Sequence, residues 1–403
     1  MIATEVDLLI VGAGPAGLMA GLLFARAGCS VRVVEKHGDF LHDFRGDTVH
    51  PSTMDVLGEL GLRERFLERP HQRLSRAELR IGGREMSVGD LSHVRSATPF
   101  IAMMPQWDFL DFLREEASRY PGFRLTMGSS VRSLEEAGER IAGARLDSGE
   151  RIRTRLVLAA DGRRSIVRVD ELLPVKDLGS PIDVFWFELP KRTQEEGTLR
   201  IAVEAGRILV RVDRGEYWQC AFVFPKGQAA ALKRAGLPAM VAAIEQTEPR
   251  LGTIAGDLRS LDDLHLLEVS LDRLTRWHRP GLLAIGDAAH AMSPMGGIGI
   301  NLAIQDAVAA ANVLAEPLAR GRSVDHLLGK VQRRRQRSTQ LIQAVQKIAQ
   351  DRVLAPVLQR RGAYQGVPLP LLLLQRFPAL RRVPGRAIAM GIRREQVTSP
   401  LAA

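Results

Sequence analysis

Six residues, Gly12-Ala13-Gly14-Pro15-Ala16-Gly17, leave this chain few ways to fold. An apolar run at 7–11 precedes them. A run rich in Ala and Leu at 18–27 follows and stops at Gly28. A second apolar stretch, 30–35, carries Val31, Val33 and Val34 and ends on Glu35. This reads as strand, turn, helix and strand within about thirty residues, the spacing of a βαβ unit. Gly12 permits the tight turn, Gly14 lets the backbone approach a diphosphate, and Gly17 lets the helix pack on the strand. The diphosphate would face free N–H groups at the positive end of the helix. Glu35 would accept hydrogen bonds from ribose hydroxyls. The pattern predicts a dinucleotide site without choosing between a flavin and a nicotinamide dinucleotide.

Two later segments fit the same kind of sheet. At 156–168 an apolar strand runs into Asp161-Gly162, which by itself reads equally well as a strand end with a capped turn. At 281–290 another buried strand delivers Gly286-Asp287 at its carboxyl end, where ligands of open α/β sheets bind. Asp287 suits the hydroxyls of a sugar-alcohol chain. Met295-Gly296-Gly297-Ile298-Gly299-Ile300-Asn301 then opens a long apolar helix over 298–318. The free N–H groups around Gly297, Gly299, Ile300 and Asn301 would stabilise negative charge on a ligand.

Helices are expected at 51–60 and 108–120, before Gly61 and Pro121-Gly122. Four β-branched and aromatic runs at 184–189, 199–203, 208–212 and 218–224 predict a mostly antiparallel sheet inserted into the α/β fold. Phe185, Trp186 and Phe187 alternate along one of these strands. One of its faces is a candidate substrate lining, with core packing as the default. After Gly321 the chain reads as basic helices to about 361, then a Pro-punctuated tail. Eight apolar residues at 367–374, including Pro368 and Pro370, are the longest apolar run after the N-terminal strand and are too short to span a membrane.

The chain has 403 residues and a net charge of +10. From Gly329 onward fifteen Lys/Arg face two acids, a net of +13, which leaves −3 on the rest. The positive field therefore belongs to the C-terminal segment. It suits a solvated helix face, or contact with acidic lipid head groups, an anionic substrate or an acidic partner. No nucleic-acid partner is expected. Cys29 and Cys220 form neither a disulfide framework nor a zinc pattern, and no metal site is expected. Reduced thiols and a start without a basic leader predict a cytoplasmic protein.

The three motifs, in this order, resemble those of class A flavoprotein monooxygenases, the family of para-hydroxybenzoate hydroxylase, over about residues 5–320. The resemblance implies an α/β fold: a Rossmann-type, glutathione-reductase-like FAD domain at 1–75, 100–175 and 272–320. A substrate domain would occupy 76–99 and 176–271, and a basic helical segment 321–403. It implies that Gly12, Ala13, Gly14, Pro15, Ala16, Gly17 and Glu35 hold the ADP half of FAD. Asp161 and Gly162 would serve FAD and NAD(P)H, and Gly286 and Asp287 the ribityl chain. Arg45 and Gln106 match positions that the family places on the cofactor; alternatively they are a surface ion-pair residue and a polar residue at a helix start.

The implied chemistry is reduction of FAD by transient NAD(P)H, reaction with O₂ to a flavin C4a-hydroperoxide, and transfer of one oxygen to an aromatic, quinol or polyketide-like substrate. The cofactor carries that chemistry, and no catalytic acid or base is assigned. His50 and His290 lie beside cofactor motifs and are expected to serve packing or capping. The competing readings are a reductase of the same fold, such as a prenyl reductase, a flavin-free dehydrogenase and a non-catalytic flavoprotein. The Trp-x-Trp-x-Ile signature of flavin-dependent halogenases is missing.

Overall fold

The computed structural model describes residues 4–41, 48–192, 199–204, 206–360, 372, 375–377, 386 and 388–402. Strand β1 (Thr4–Val11) leads into helix α1 (Pro15–Arg26) and the chain returns as β2 (Val31–Val34). The helix begins at Pro15, earlier than the Ala/Leu run suggests. Proline's fixed φ suits the first helical position, and its missing N–H costs nothing there. Helices α2 (Pro51–Glu59) and α3 (Gln106–Ala117) follow, then strands β3 (Arg151–Ala159) and β4 (Leu282–Ala284). Helix α4 is Gly299–Ala319 and α5 is Asp325–Ala349.

The four strands lie side by side and parallel in the order β4-β3-β1-β2. Their carboxyl ends are level, because Ala284 pairs with Ala159, Ala159 with Val11, and Val11 with Val34. Leu8, Leu9 and Ile10 are wholly buried, as befits a strand covered on both faces. Helix α1 packs between α3 and α4. By length and composition the segment Met295–Ala319 is apolar enough to cross a membrane, yet 83 % of its apolar 18-residue window is buried inside the protein.

The second sheet has seven strands, ordered His265–Leu267, Ile182–Pro190, Tyr217–Pro225, Arg207–Asp213, Leu199–Glu204, Arg76–Ile81, Arg84–Asp90. It is antiparallel except where Leu199–Glu204 meets Arg76–Ile81 in parallel. That junction joins two segments far apart in sequence. Period-two alternation separates the two faces. Phe185 and Phe187 pack with Trp218, Phe222 and the helix Leu237–Thr247, which makes them core residues. Trp186 lies on the opposite face, half-buried, with Val184 and Val223. Its buried Nε1 has no hydrogen-bond partner among the described residues.

Helix α5 lies against α4 and continues through a π-helical turn, Gln350–Leu354, into Ala355–Gln359. Beyond it, residues 391–402 cross the outer surfaces of α2, α4 and α1. Arg394 bonds Asp55, the Asn312 carboxamide accepts from the Thr398 and Ser399 N–H groups, and Arg26 donates to the Ser399 carbonyl.

Candidate active site

Each of the four neighbouring strands ends in a residue or motif singled out by the sequence: Gly286-Asp287 after β4, Asp161-Gly162 after β3, Gly12 to Gly17 after β1, and Glu35 after β2. Gly12 has φ +98°, and a Cβ there would stand 2.6 Å from the Ala160 carbonyl oxygen. A Cβ on Gly17 would come within 1.9 Å of the Gly12 carbonyl oxygen. A Cβ on Gly14 would meet nothing within 4 Å. Gly12 and Gly17 are thus required by the protein's own packing, whereas Gly14 borders open space. Glu35 is buried; its carboxylate accepts the Ala13 N–H at 2.8 Å and the His37 N–H at 3.1 Å. A Cβ on Gly286 would lie 3.1 Å from the Ala16 Cβ, so the first and third motifs touch.

Asp161 accepts the Ile166 N–H at 2.8 Å through one oxygen. Its other oxygen is buried without a hydrogen-bond partner among the described residues. Burial pushes this carboxyl above its ordinary pKa, against the opposing hydrogen bonds from Ser165 and Ile166. Asp287 remains partly open and pairs with Arg163 at 3.2 Å. Arg168 fastens the same loop, reaching Asp272 at 2.7 Å and the carbonyls of Ala288 and Asp287 at 2.9 and 3.0 Å. Neither arginine stands out in the sequence from the run Arg163-Arg164-Ser165-Ile166-Val167-Arg168.

The start of α4 lies beside the strand Thr48–Val49: the Thr48 hydroxyl donates to the Gly297 carbonyl at 2.9 Å. Gly299 has open space where a side chain would stand, and Ile300 is buried. The Asn301 side-chain oxygen takes the hydroxyls of Ser52 at 2.6 Å and Thr53 at 2.7 Å. That oxygen therefore ties α4 to α2, and the backbone N–H is the group that Asn301 presents at the helix start. Gln106 is buried as the first residue of α3. Arg45 lies outside the described residues.

A buried ionic group behind the loop was not apparent from sequence. Asp306 takes the Gly286 N–H at 3.1 Å and His290 Nε2 at 2.6 Å on one oxygen, and Arg335 Nε at 2.8 Å on the other. Burial opposes its ionisation, but His290 and Arg335 outweigh burial and hold its carboxyl below the ordinary range. An acid in the middle of the apolar run 298–318, well before Glu316 near its end, was the available signal; nothing marked Arg335 among its neighbours. His290 stabilises this group; His50 precedes α2 without a side-chain cap, and only its backbone carbonyl takes the Thr53 and Met54 N–H groups. His50 is fully buried, and neither ring nitrogen has a partner among the described residues.

These features suit a dinucleotide: an open approach at Gly14, a fixed carboxylate at the end of β2, an orphaned Asp161 oxygen, and free N–H groups at two helix starts. The family model described as "FAD binding domain" matches residues 5–345. This chain belongs to the class A flavoprotein monooxygenases. It is an FAD-dependent oxidoreductase of that family. It is 32 % identical over 401 residues to a 6-methylpretetramide 4-monooxygenase of Streptomyces rimosus, covering 98 % of this chain and 94 % of that one. It is 28 % identical over 306 residues to a rifampicin monooxygenase of Streptomyces venezuelae, covering 75 % of this chain and 62 % of that longer relative. The fold is also that of PqsL, a probable FAD-dependent monooxygenase from Pseudomonas aeruginosa, with a TM-score of 0.76 at 21 % identity over 88 % of this chain and 98 % of that one.

Proposed function

We propose that the protein hydroxylates a polycyclic, polyketide-like aromatic substrate, with NAD(P)H as the transient reductant. The observation that carries the site assignment is the level row of four strand ends. Gly12, Gly14, Gly17 and the α1 N–H groups receive the diphosphate, and Glu35 the adenosine ribose. Asp287 exchanges Arg163 for hydroxyls of the ribityl chain. Asp161, Gly162 and Gln106 border the same groove, and Arg45 is a further cofactor residue on the family resemblance alone. The Gly297 N–H is spent on the Pro294 carbonyl at 3.0 Å, so the N–H groups of Gly299, Ile300 and Asn301 hold negative charge on the reactive ring. When bound and reduced, FAD would supply the two electrons that activate O₂, one atom of which enters the substrate while the other leaves as water. The protein binds, orients and excludes water. Residues 76–99 and 176–271 form the substrate-binding unit, and 1–75, 100–175 and 272–320 the cofactor unit. The substrate class is supported by the names of the two relatives above. Two buried, unpaired thiols favour a cytoplasmic setting.

The test is the visible spectrum of the purified protein, followed by NAD(P)H oxidation in ¹⁸O₂ with phenols, quinols and polycyclic aromatics. Bound flavin and a product heavier by one labelled oxygen are expected. A reduced, unlabelled product would move the assignment to a reductase.

The same proposal extends to contact with an anionic lipid surface through α5. Leu341, Val345 and Ile348 are 50 %, 57 % and 55 % exposed on one helical face, and Val353 is 56 % exposed just beyond. Lys330, Arg333 and Arg337 continue that face toward the helix start, and Arg352 follows its far end. An antiparallel contact with a second copy centred on Val345 would set Arg337 against Val353, next to Arg352, like near like. Acidic head groups fit both the charge and the apolar stripe. Co-sedimentation with phosphatidylserine vesicles, lost in Val345→Asp and absent with neutral vesicles, is the expected result. Binding to neither vesicle excludes the contact.

A further inference from the structure

One short segment belongs to two apolar clusters at once. Ile388, Ala389 and Met390 pack with Leu74, Ile101 and Met103, and with Val210 and Val212 of the seven-stranded sheet. Ile388, with Ile392, also packs against Met292, Ile298 and Leu302 around the start of α4. A Cβ on Gly296 would lie 3.8 Å from Ile388 Cγ1. Ile388 therefore bridges the glycine loop and the inserted sheet. Ala389 is fully buried, whereas Ile388 and Met390 are half-buried and border accessible space.

The segment is held from its far end. Gly391, at φ +66°, turns the chain beside Asn301, whose Nδ2 would be 3.9 Å from a Cβ there. Arg393 keeps φ +59°, a left-handed value uncommon for a side-chain-bearing residue. Its carbonyl accepts Arg335 Nη1 at 3.4 Å. Glu395 takes Arg334 at 2.6 Å, and Arg394 bonds Asp55 and Glu59. These anchors fix residues 388–390 against α2, α4 and α5.

We propose that Ile388 and Met390 are specificity-determining residues, forming an apolar wall between the start of α4 and the Val210–Val212 face. The wall sets the size of planar ring system that enters. This rests on the reading that places the reactive ring at the start of α4. Apolar pockets discriminate by the methylene groups they can bury, so trimming or filling this wall changes preference among rings of different size.

The test uses the FAD-loaded full chain and two probes, phenol and 1,8-dihydroxyanthraquinone, titrated by changes in flavin absorbance and fluorescence. In Met390→Ala and Ile388→Trp the ratio of the two dissociation constants shifts by about tenfold or more, in opposite directions. Leu401→Ala, at an exposed position that takes no part in either proposed contact, leaves the ratio unchanged. Should Ile388→Trp fail to fold, Met390→Ala carries the test alone. An unchanged ratio, an equal weakening of both probes, or no binding of either probe to the unsubstituted protein overturns the wall. Labelled-product analysis with ¹⁸O₂ separates the two readings. A shifted ratio without oxygenated product defeats the monooxygenase assignment alone, and product without a shifted ratio defeats the wall alone.

Discussion

Arg335 Nε donates to Asp306 Oδ1 at 2.8 Å, with both side chains closed off from solvent. The second Asp306 oxygen holds the Gly286 N–H, so the ionic pair reaches from the basic C-terminal helix to the strand-end loop that carries Asp287. Removing one partner leaves the other charge buried and uncompensated. Asp306→Ala should cost about 3–5 kcal/mol of stability, read from urea unfolding. The depressed folded-state pKa of Asp306 fixes the sign of its pH dependence. Its stabilisation is present above the ordinary value of 3.8 and is lost as pH falls through the lower folded value. The stability gap to Asp306→Asn should narrow only in strongly acidic solution.

His50 titrates in the opposite sense. Burial pushes its imidazole down to about 4 from an ordinary 6.5. The unfolded chain therefore binds one more proton between those values, and the protein loses stability on acidification by about 1.4 kcal/mol per pH unit from this group. His50→Gln should abolish that component. The check is the pH dependence of the unfolding free energy between pH 4 and 6.5. NMR of the folded protein should show no His50 titration above about pH 5.5, well over the folded value of about 4.

Much of the cofactor-domain fold was legible because buried parallel strands and glycine turns write themselves locally. Val31, Val33 and Val34 announce β2, and Gly12 and Gly17 announce a turn that no larger residue fits. The parallel junction between Leu199–Glu204 and Arg76–Ile81 was not legible, because its partners lie more than a hundred residues apart and alternation does not encode strand direction. Trp186, Phe185 and Phe187 showed two faces without showing which one a helix covers. In the site, the sequence offers the Asn301 backbone N–H to a ligand but does not show that its side-chain oxygen takes the hydroxyls of Ser52 and Thr53. Only folding brings α2 there. Arg335 sits among four arginines at 333–337, and local sequence does not say which one turns inward.

Arg163 and Asp287 make a second, weaker pair. Their side chains are 28 % and 36 % exposed, so solvent screens the attraction. Arg163→Ala should change stability by less than about 1 kcal/mol. Asp287→Ala should weaken FAD by roughly tenfold to a hundredfold, the cost of hydrogen bonds to a charged acceptor. Isothermal titration of the apoprotein with FAD, run beside thermal melts, separates the effects. Equal losses of affinity in both variants would mean that the pair, not the carboxylate, shapes the site.

Gly14 and Gly17 should respond differently to the same added methyl group. At Gly17 the Cβ would stand 1.9 Å from the Gly12 carbonyl oxygen, a backbone atom that cannot move without opening the turn. Gly17→Ala should therefore destabilise the apoprotein, by about 1–3 kcal/mol if the helix shifts to relieve the overlap. At Gly14 nothing lies within 4 Å and φ is −71°, a value that alanine adopts readily. Gly14→Ala should leave the apoprotein melting temperature close to that of the parent, since glycine and alanine at a helix N-cap differ by roughly 1 kcal/mol at most. The open space there is where the diphosphate must approach, so the same methyl should reduce FAD affinity by at least about tenfold. Melting curves of the two apoproteins, followed by FAD titration of each, measure both quantities. A stable Gly14→Ala protein that binds FAD as the parent does would place the diphosphate elsewhere.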